Sequence, residues 1–370
     1  MAAGVLVLLG SGETAPGMTK IHREVLSRIP DPRAVNLDTP YGFQLNVPQM
    51  SQKLEEYFAT SLGVALETLH LASFARSSSL ERALFKQRVR EATYVFAGPG
   101  SPTWALAQWG PLGLADDLAH VLDAGGTICL SSAATLTAGA FTPPIYEIYK
   151  VGVDEPAWVP GLDLTGTLGL RCVVLPHYDN AEGQNYDTRY CYLGEPRLEA
   201  LEAQLPLGVA TLGIDEHTAV VIDLATDTLT VRGRAGAHWR LAGDVRTLPA
   251  GSSLALTELR EASVPIASAR PIPAAHEDRR PDTPLALAEL AARGADGATE
   301  ALATLVRLAE TGGTGFVDPA PLVEGLIALR RDVRDRGLYD VADGLRDVLL
   351  AAGFEVRDGP DGTTWSPPSA

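Results

Sequence analysis

Short, unbroken runs of apolar and β-branched residues alternate with helix-like segments through the first half of this chain. That alternation limits the fold more than any other feature. The runs cover 5–9, 93–96, 127–130, 172–175 and 219–222. None shows the in-out polarity of a half-exposed strand, so each is expected to be covered on both faces. Helical spacing falls between them, around 54–69 and 112–122. Strand-helix alternation predicts an α/β fold with a doubly wound, mostly parallel sheet. Such sheets bind ligands beyond the carboxyl ends of their strands, so the loops after these runs are where a site is expected.

At 370 residues, 46% of them hydrophobic, the chain can bury a large core and exceeds one average domain. A first domain is expected over 1–262 and a Pro-rich linker over 263–284. A helical domain with i, i+3, i+4 apolar spacing should follow over 285–370. The net charge of -16 argues against a broad phosphate-binding surface and against nucleic acid as a partner. Cys129, Cys172 and Cys191 have no CxxC spacing, so neither a disulfide framework nor a metal site is expected. The apolar run at 5–9 is too short to cross a membrane, and no targeting signal is legible. The expectation is a cytoplasmic protein without a membrane partner. Gly10-Ser11-Gly12-Glu13 lacks both the GxGxxG spacing and the Walker lysine, so no nucleotide or other cofactor is implied.

The segment 127–134 places Ser131 and Ser132 directly after a buried strand and before a helix that opens on small residues. That is the layout of a nucleophile elbow, in which the following backbone N–H faces a developing oxyanion. A serine N-cap is the plainer reading of the same residues. Cys129 sits inside the strand and reads as a small buried hydrophobe. Two further segments follow strands, Gly98-Pro99-Gly100 and Pro176-His177-Tyr178, and the second runs on into a long polar surface stretch, 179–189. Histidine suits proton transfer because its ordinary pKa lies near neutrality.

Taken in order, these segments resemble the peptidase E and cyanophycinase family, whose fold is like that of class I glutamine amidotransferases. The resemblance spans about residues 4–225. It implies Ser132 as nucleophile, with Ala133 and Gly98 or Gly100 as backbone oxyanion donors. Leu130 and Ala134 stand where the family has glycine. His177 matches the family's Pro-His-Tyr segment as general base. The order serine, acid, histidine favours Glu147 as the third member, with Asp154 and Glu155 as alternatives. Glu216, in Gly213-Ile214-Asp215-Glu216-His217-Thr218-Ala219, is a further contender and is expected mainly to support the site. Arg189 could hold a substrate carboxylate or form a surface ion pair, two readings of equal weight. The Gly10–Glu13 stretch would form part of the rim.

Residues 320–366 resemble the C-terminal helical subdomain of cysteinyl-tRNA synthetases, although the HIGH and KMSKS motifs are absent. Three functions are therefore carried forward. The first is a serine peptidase or amide hydrolase acting on short peptides through a Ser-His-Glu triad, with the resemblance pointing to aspartyl ones. The second is a non-catalytic binding module on the same fold. The third is a hydrolase linked to tRNA through its tail, the one route by which nucleic acid would be a partner.

Overall fold

The computed structural model describes residues 4–153, 156–262, 355–359 and 362–366, together with Ile327, Arg331, Arg334 and Arg346. The chain divides into two compact units, Met1–Ala275 and His276–Ala370.

The first unit is built on an eight-stranded sheet. Its parallel part holds β1 (Val5–Leu9), β2 (Ala34–Leu37), β3 (Leu66–Leu69), β4 (Tyr94–Ala97) and β5 (Thr127–Ser131). Side chains alternate between two cores. Val5, Val7 and Leu9 face one core with Met18, Ile21 and Val25 of α1 (Pro16–Leu26). Leu6 and Leu8 face the other, which holds residues of several helices. α2 (Val47–Tyr57) precedes β3, while α3 (Ser79–Glu91), α4 (Pro102–Leu112) and α5 (Leu114–Asp123) lie between β3 and β5. Burying both faces explains why these strands read as continuous apolar runs. Each fully buried Val or Leu contributes about 1.5–3 kcal/mol.

Three further groups of strands modify the expected architecture. β6 (Phe141–Thr142) and β7 (Val159–Pro160) pair as a short antiparallel ribbon. β8 (Cys172–Leu175) and β9 (Ala210–Ile214) run parallel in a second sheet, completed by β12 (Gly236–Leu241) and β13 (Asp244–Pro249). β10 (Thr218–Asp223) pairs antiparallel with β1, and β11 (Thr228–Gly233) and β14 (Ser253–Ala255) extend that edge. The central sheet is thus mixed and mostly parallel, and the 172–175 run belongs to the second sheet. Pairing antiparallel with β1 puts the start of β10 beside the carboxyl end of β1. The turn at 215–217 is thereby delivered to the end of the sheet where ligands are expected.

Two sequence expectations fail locally. The helix read over 54–69 ends early, giving way to a π-helical turn at Phe58–Leu62 and then to β3. The helix read over 112–122 is broken at Gly113, where α4 ends and α5 begins. In the second unit, β15 (Glu355–Gly359) and β16 (Gly362–Ser366) form an antiparallel hairpin within the stretch read as a helical domain. The linker and most of the helical tail lie outside the described residues, as do Asp154 and Glu155.

Candidate active site

Ser132 links β5 to a single helical turn, α6 (Ala133–Leu136), at φ 52° and ψ -116°. Only a few per cent of non-glycine residues take positive φ, and holding one there costs on the order of 1–3 kcal/mol. Surrounding bonds hold the turn in place. Thr135 Oγ1 donates to the carbonyls of Leu9 at 2.9 Å and Leu130 at 2.8 Å. The Ala134 N–H donates to the Gly98 carbonyl at 3.3 Å, which brings the loop after β4 against the elbow. Leu130 and Ala134, standing where the family has glycine, are both completely buried in the larger core. The turn is therefore built without glycine at either place.

His177 follows β8 and also has positive φ, 50°. Its N–H donates to the Gly10 carbonyl at 3.2 Å, and its own carbonyl accepts from the N–H groups of Asn180 and Cys191. The Cys191 contact comes from a left-handed turn in which Tyr190, Cys191 and Tyr192 have φ of 59°, 56° and 67°. Fixed in this way, the imidazole Nε2 lies 2.9 Å from Ser132 Oγ. Nδ1 lies 2.9 Å from Glu216 Oε1. A carboxylate only accepts, so Nδ1 carries the hydrogen and Nε2 accepts from the serine hydroxyl. Asn180 Nδ2 donates to the same Glu216 oxygen at 3.0 Å, and Asp179 accepts from the Glu216 N–H at 2.7 Å. The His177 bond, helped by Asn180 and opposed by partial burial, holds the Glu216 carboxyl below its ordinary range.

The carboxylate on His177 is therefore Glu216, and the expectation for Glu147 is corrected. Glu147 opens a π-helical turn, Glu147–Val151, and its Oε1 accepts from Thr103 Oγ1 at 2.7 Å. The order serine, acid, histidine misled because β10 pairs beside β1 and returns a later segment to the site. Arg189 grips Asp187 through Nε at 2.9 Å and Nη2 at 2.8 Å, with Glu195 at 3.3 Å. Of its two readings, this geometry is the surface ion pair. Gly100, at φ 149°, is pressed against Pro40, whose carbonyl oxygen a Cβ would meet at 1.9 Å. That leaves Gly98 as the glycine whose backbone touches the elbow.

Sequence reasoning missed several supports. Ser131 Oγ donates to Glu13 Oε2 at 3.0 Å, and the His217 N–H donates to Ser11 Oγ at 3.1 Å. The Gly10–Glu13 loop thus ties the elbow to the 215–217 turn. Gly10 permits this approach, since a Cβ would meet the Asp215 carbonyl oxygen at 1.9 Å. Behind the elbow, buried His22 places Nε2 2.9 Å from the Glu13 carbonyl and Nδ1 2.8 Å from Tyr94 Oη. Burial pulls His22 down to about 4, against the opposing pull of the Glu13 bond. Cys129 lies in the same region, and burial pushes its thiol up to about 12, far from thiolate reactivity. Among the described residues, no group of three or more His, Cys, Asp or Glu could hold a metal ion. Among them, no helix is long and apolar enough to cross a membrane.

No family model matches the chain. Among solved structures, a peptidase from an acI-B1 Actinobacterium superposes with a TM-score of 0.54 and 19% identity, covering 68% of this chain and 97% of that one. The α/β unit therefore shares the fold of that peptidase. A candidate Peptidase E protein from Listeria monocytogenes EGD-e gives a TM-score of 0.43 and 15% identity, over 63% of this chain and 100% of that one. Cysteine–tRNA ligase from Fusobacterium nucleatum is 40% identical over 47 residues, 13% of this chain and 10% of the ligase. The Proteus mirabilis ligase is 44% identical over 48 residues, 13% of this chain and 10% of the ligase. The chain thus spans about a tenth of the length of these curated relatives. The resemblance to cysteinyl-tRNA synthetases read from the sequence reappears in these comparisons, and for the first unit the fold of a peptidase does.

Proposed function

We propose that the first unit is a serine-type peptidase or amide hydrolase acting on short peptides, with Ser132, His177 and Glu216 as its triad. The observation that carries this reading is the chain of two 2.9 Å contacts from a strained serine through an imidazole to a carboxylate. In the reaction, Ser132 Oγ attacks the scissile carbonyl while its proton passes to His177 Nε2. Glu216 holds the imidazole in the productive tautomer and offsets the charge it gains. The negative oxygen of the tetrahedral intermediate is held by the backbone N–H groups of Ala133 and Gly98. Its collapse breaks the C–N bond, and His177 Nε2 returns the proton to the departing amine. Water then attacks the acyl-serine ester with the same base, releasing the acid and restoring Ser132.

The test is covalent labelling by a fluorophosphonate followed by peptide mapping. Labelling at Ser132, lost in Ser132→Ala and strongly slowed in His177→Ala, is the expected result. An unlabelled protein, or a label on Ser131, would remove Ser132 from the mechanism. The non-catalytic reading is the less favoured one. A binding module has no need of a serine held at positive φ within reach of an imidazole.

A further inference from the structure

An opening lies beside the turn that carries Glu216, against the neighbouring His217. It is a cleft of about 680 Å³ between α1 and the end of β11, lined among others by Lys20, Glu24, His217, Arg232 and Arg234. Three cations and a histidine meet there in a chain whose net charge is -16. Arg232 is 3.8 Å from Glu24, a carboxylate that Arg28 shares at the same distance. Among the described residues, no hydrogen bond or ion pair engages the side chains of Lys20 or Arg234, and both are exposed. The acidic surface thus includes a concave place in which, among the described residues, Lys20 and Arg234 carry charge that no carboxylate pairs.

We propose that this cleft binds a small phosphate monoester. The donor set selects the ligand chemistry. Two planar guanidinium forks and one ammonium present more donors than the two oxygens of a carboxylate can satisfy. A phosphate monoester offers three terminal oxygens and about -1.5 to -2 charges near neutral pH. The cleft volume is that of a small-molecule site, so it leaves room for an organic body beside the phosphate. The wall is shared with the triad's support. The Arg234 N–H donates to the His217 carbonyl at 3.0 Å, and His217 follows Glu216 directly. A ligand held by Arg234 therefore braces the turn on which Glu216 stands. The binding itself does not depend on the chemistry proposed for Ser132.

The test is calorimetric titration of the full chain at constant ionic strength with inorganic phosphate, glycerol 3-phosphate and acetate. Saturable binding of both phosphates, with acetate weaker by about tenfold or more, is expected. Lys20→Ala and Arg234→Ala should each weaken phosphate by about tenfold, since each removes one charge-assisted contact. Glu24→Gln, which removes the cleft's own carboxylate, should tighten it, and Ser132→Ala should leave it unchanged. No saturable binding, acetate bound as well as phosphate, or binding indifferent to the Lys20→Ala/Arg234→Ala pair would overturn the proposal.

Discussion

His177 and His70 present nearly the same dyad at two places on the carboxyl-end rim. Glu216 Oε1 lies 2.9 Å from Nδ1 of His177, and Asp38 Oδ2 lies 2.6 Å from Nδ1 of His70. Asp38 and His70 directly follow the parallel neighbours β2 and β3. Asp38 is buried and also accepts from the Leu71 N–H at 3.0 Å, so its carboxylate is satisfied by the fold around it. The difference lies beyond the other ring nitrogen. His177 Nε2 meets Ser132, whereas among the described residues nothing hydrogen-bonds His70 Nε2, and that side chain is 65% exposed. A carboxylate on an imidazole is an ordinary structural device. What sets His177 apart is a serine held at positive φ by the β5–α6 turn, within reach of its free nitrogen.

Removing that serine breaks the comparison most completely. Ser132→Ala is expected to lower turnover of a short peptide p-nitroanilide by on the order of 10⁴-fold or more, since members of a triad act as a unit. Its melting temperature should stay close to the parent's, because Thr135 and Gly98 hold the turn independently of the hydroxyl. Steady-state kinetics and a thermal melt on one preparation check both parts. A variant that keeps turnover would make the His177 dyad as structural as the His70 one.

The carboxylates come next. Glu216→Gln is expected to lower the maximal rate by about 10³–10⁴-fold, because an amide facing Nδ1 favours the wrong tautomer. Glu147→Gln should stay within about threefold of the parent, since its contact is with Thr103. Comparable losses from both would mean that Glu147 reaches the reaction by a route its hydrogen bonding does not suggest.

The strand-helix alternation and the turn after β5 were legible because burial on both faces leaves an unmistakable apolar run. Ser132 and His177 followed from their places after such runs. β3 was not legible. Its Leu66 and Leu69 are the buried positions while Glu67 is exposed, and that i, i+3 spacing imitates a helix. Glu216 was seen but ranked second, because the distance between serine and acid in the chain says nothing about an antiparallel strand folding back beside β1. His22 carried no local signal. Its role rests on Tyr94 and Glu13, 72 and 9 residues away. Asn180 stood in plain view three residues after His177, hidden only by the polar character of its loop.

Acid stability tests the buried histidine behind the elbow. His22 is about 4 in the folded chain against 6.5 ordinarily, because burial disfavours its charged form. The unfolded chain therefore binds the extra proton first as pH falls. The stabilisation is fully present above pH 6.5, is lost progressively as pH falls towards 4, and changes no further below that. The span corresponds to about 3 kcal/mol. His22→Gln keeps a donor and an acceptor on the ring's two sides but does not titrate. Urea midpoints at pH 7 and pH 4.5 should thus fall less in the variant than in the parent. An identical fall in both would mean that His22 is already accessible to protons in the folded chain.

The smallest effect is expected at the dyad that lacks a serine. His70 is mostly exposed, and an exposed ion pair contributes little because water and salt screen it. His70→Ala removes one partner of Asp38, but the carboxylate keeps its bond from the Leu71 N–H and gains access to water through the space left behind. The melting temperature should therefore fall by no more than about 3 °C. Turnover should change by less than about twofold, since His70 has no part in the Ser132–His177–Glu216 chain. The same kinetics and melt used for Ser132→Ala give both readings. A loss of turnover at unchanged melting temperature would show that the second dyad touches substrate, and the contrast between the two histidines would then be one of role within a single site.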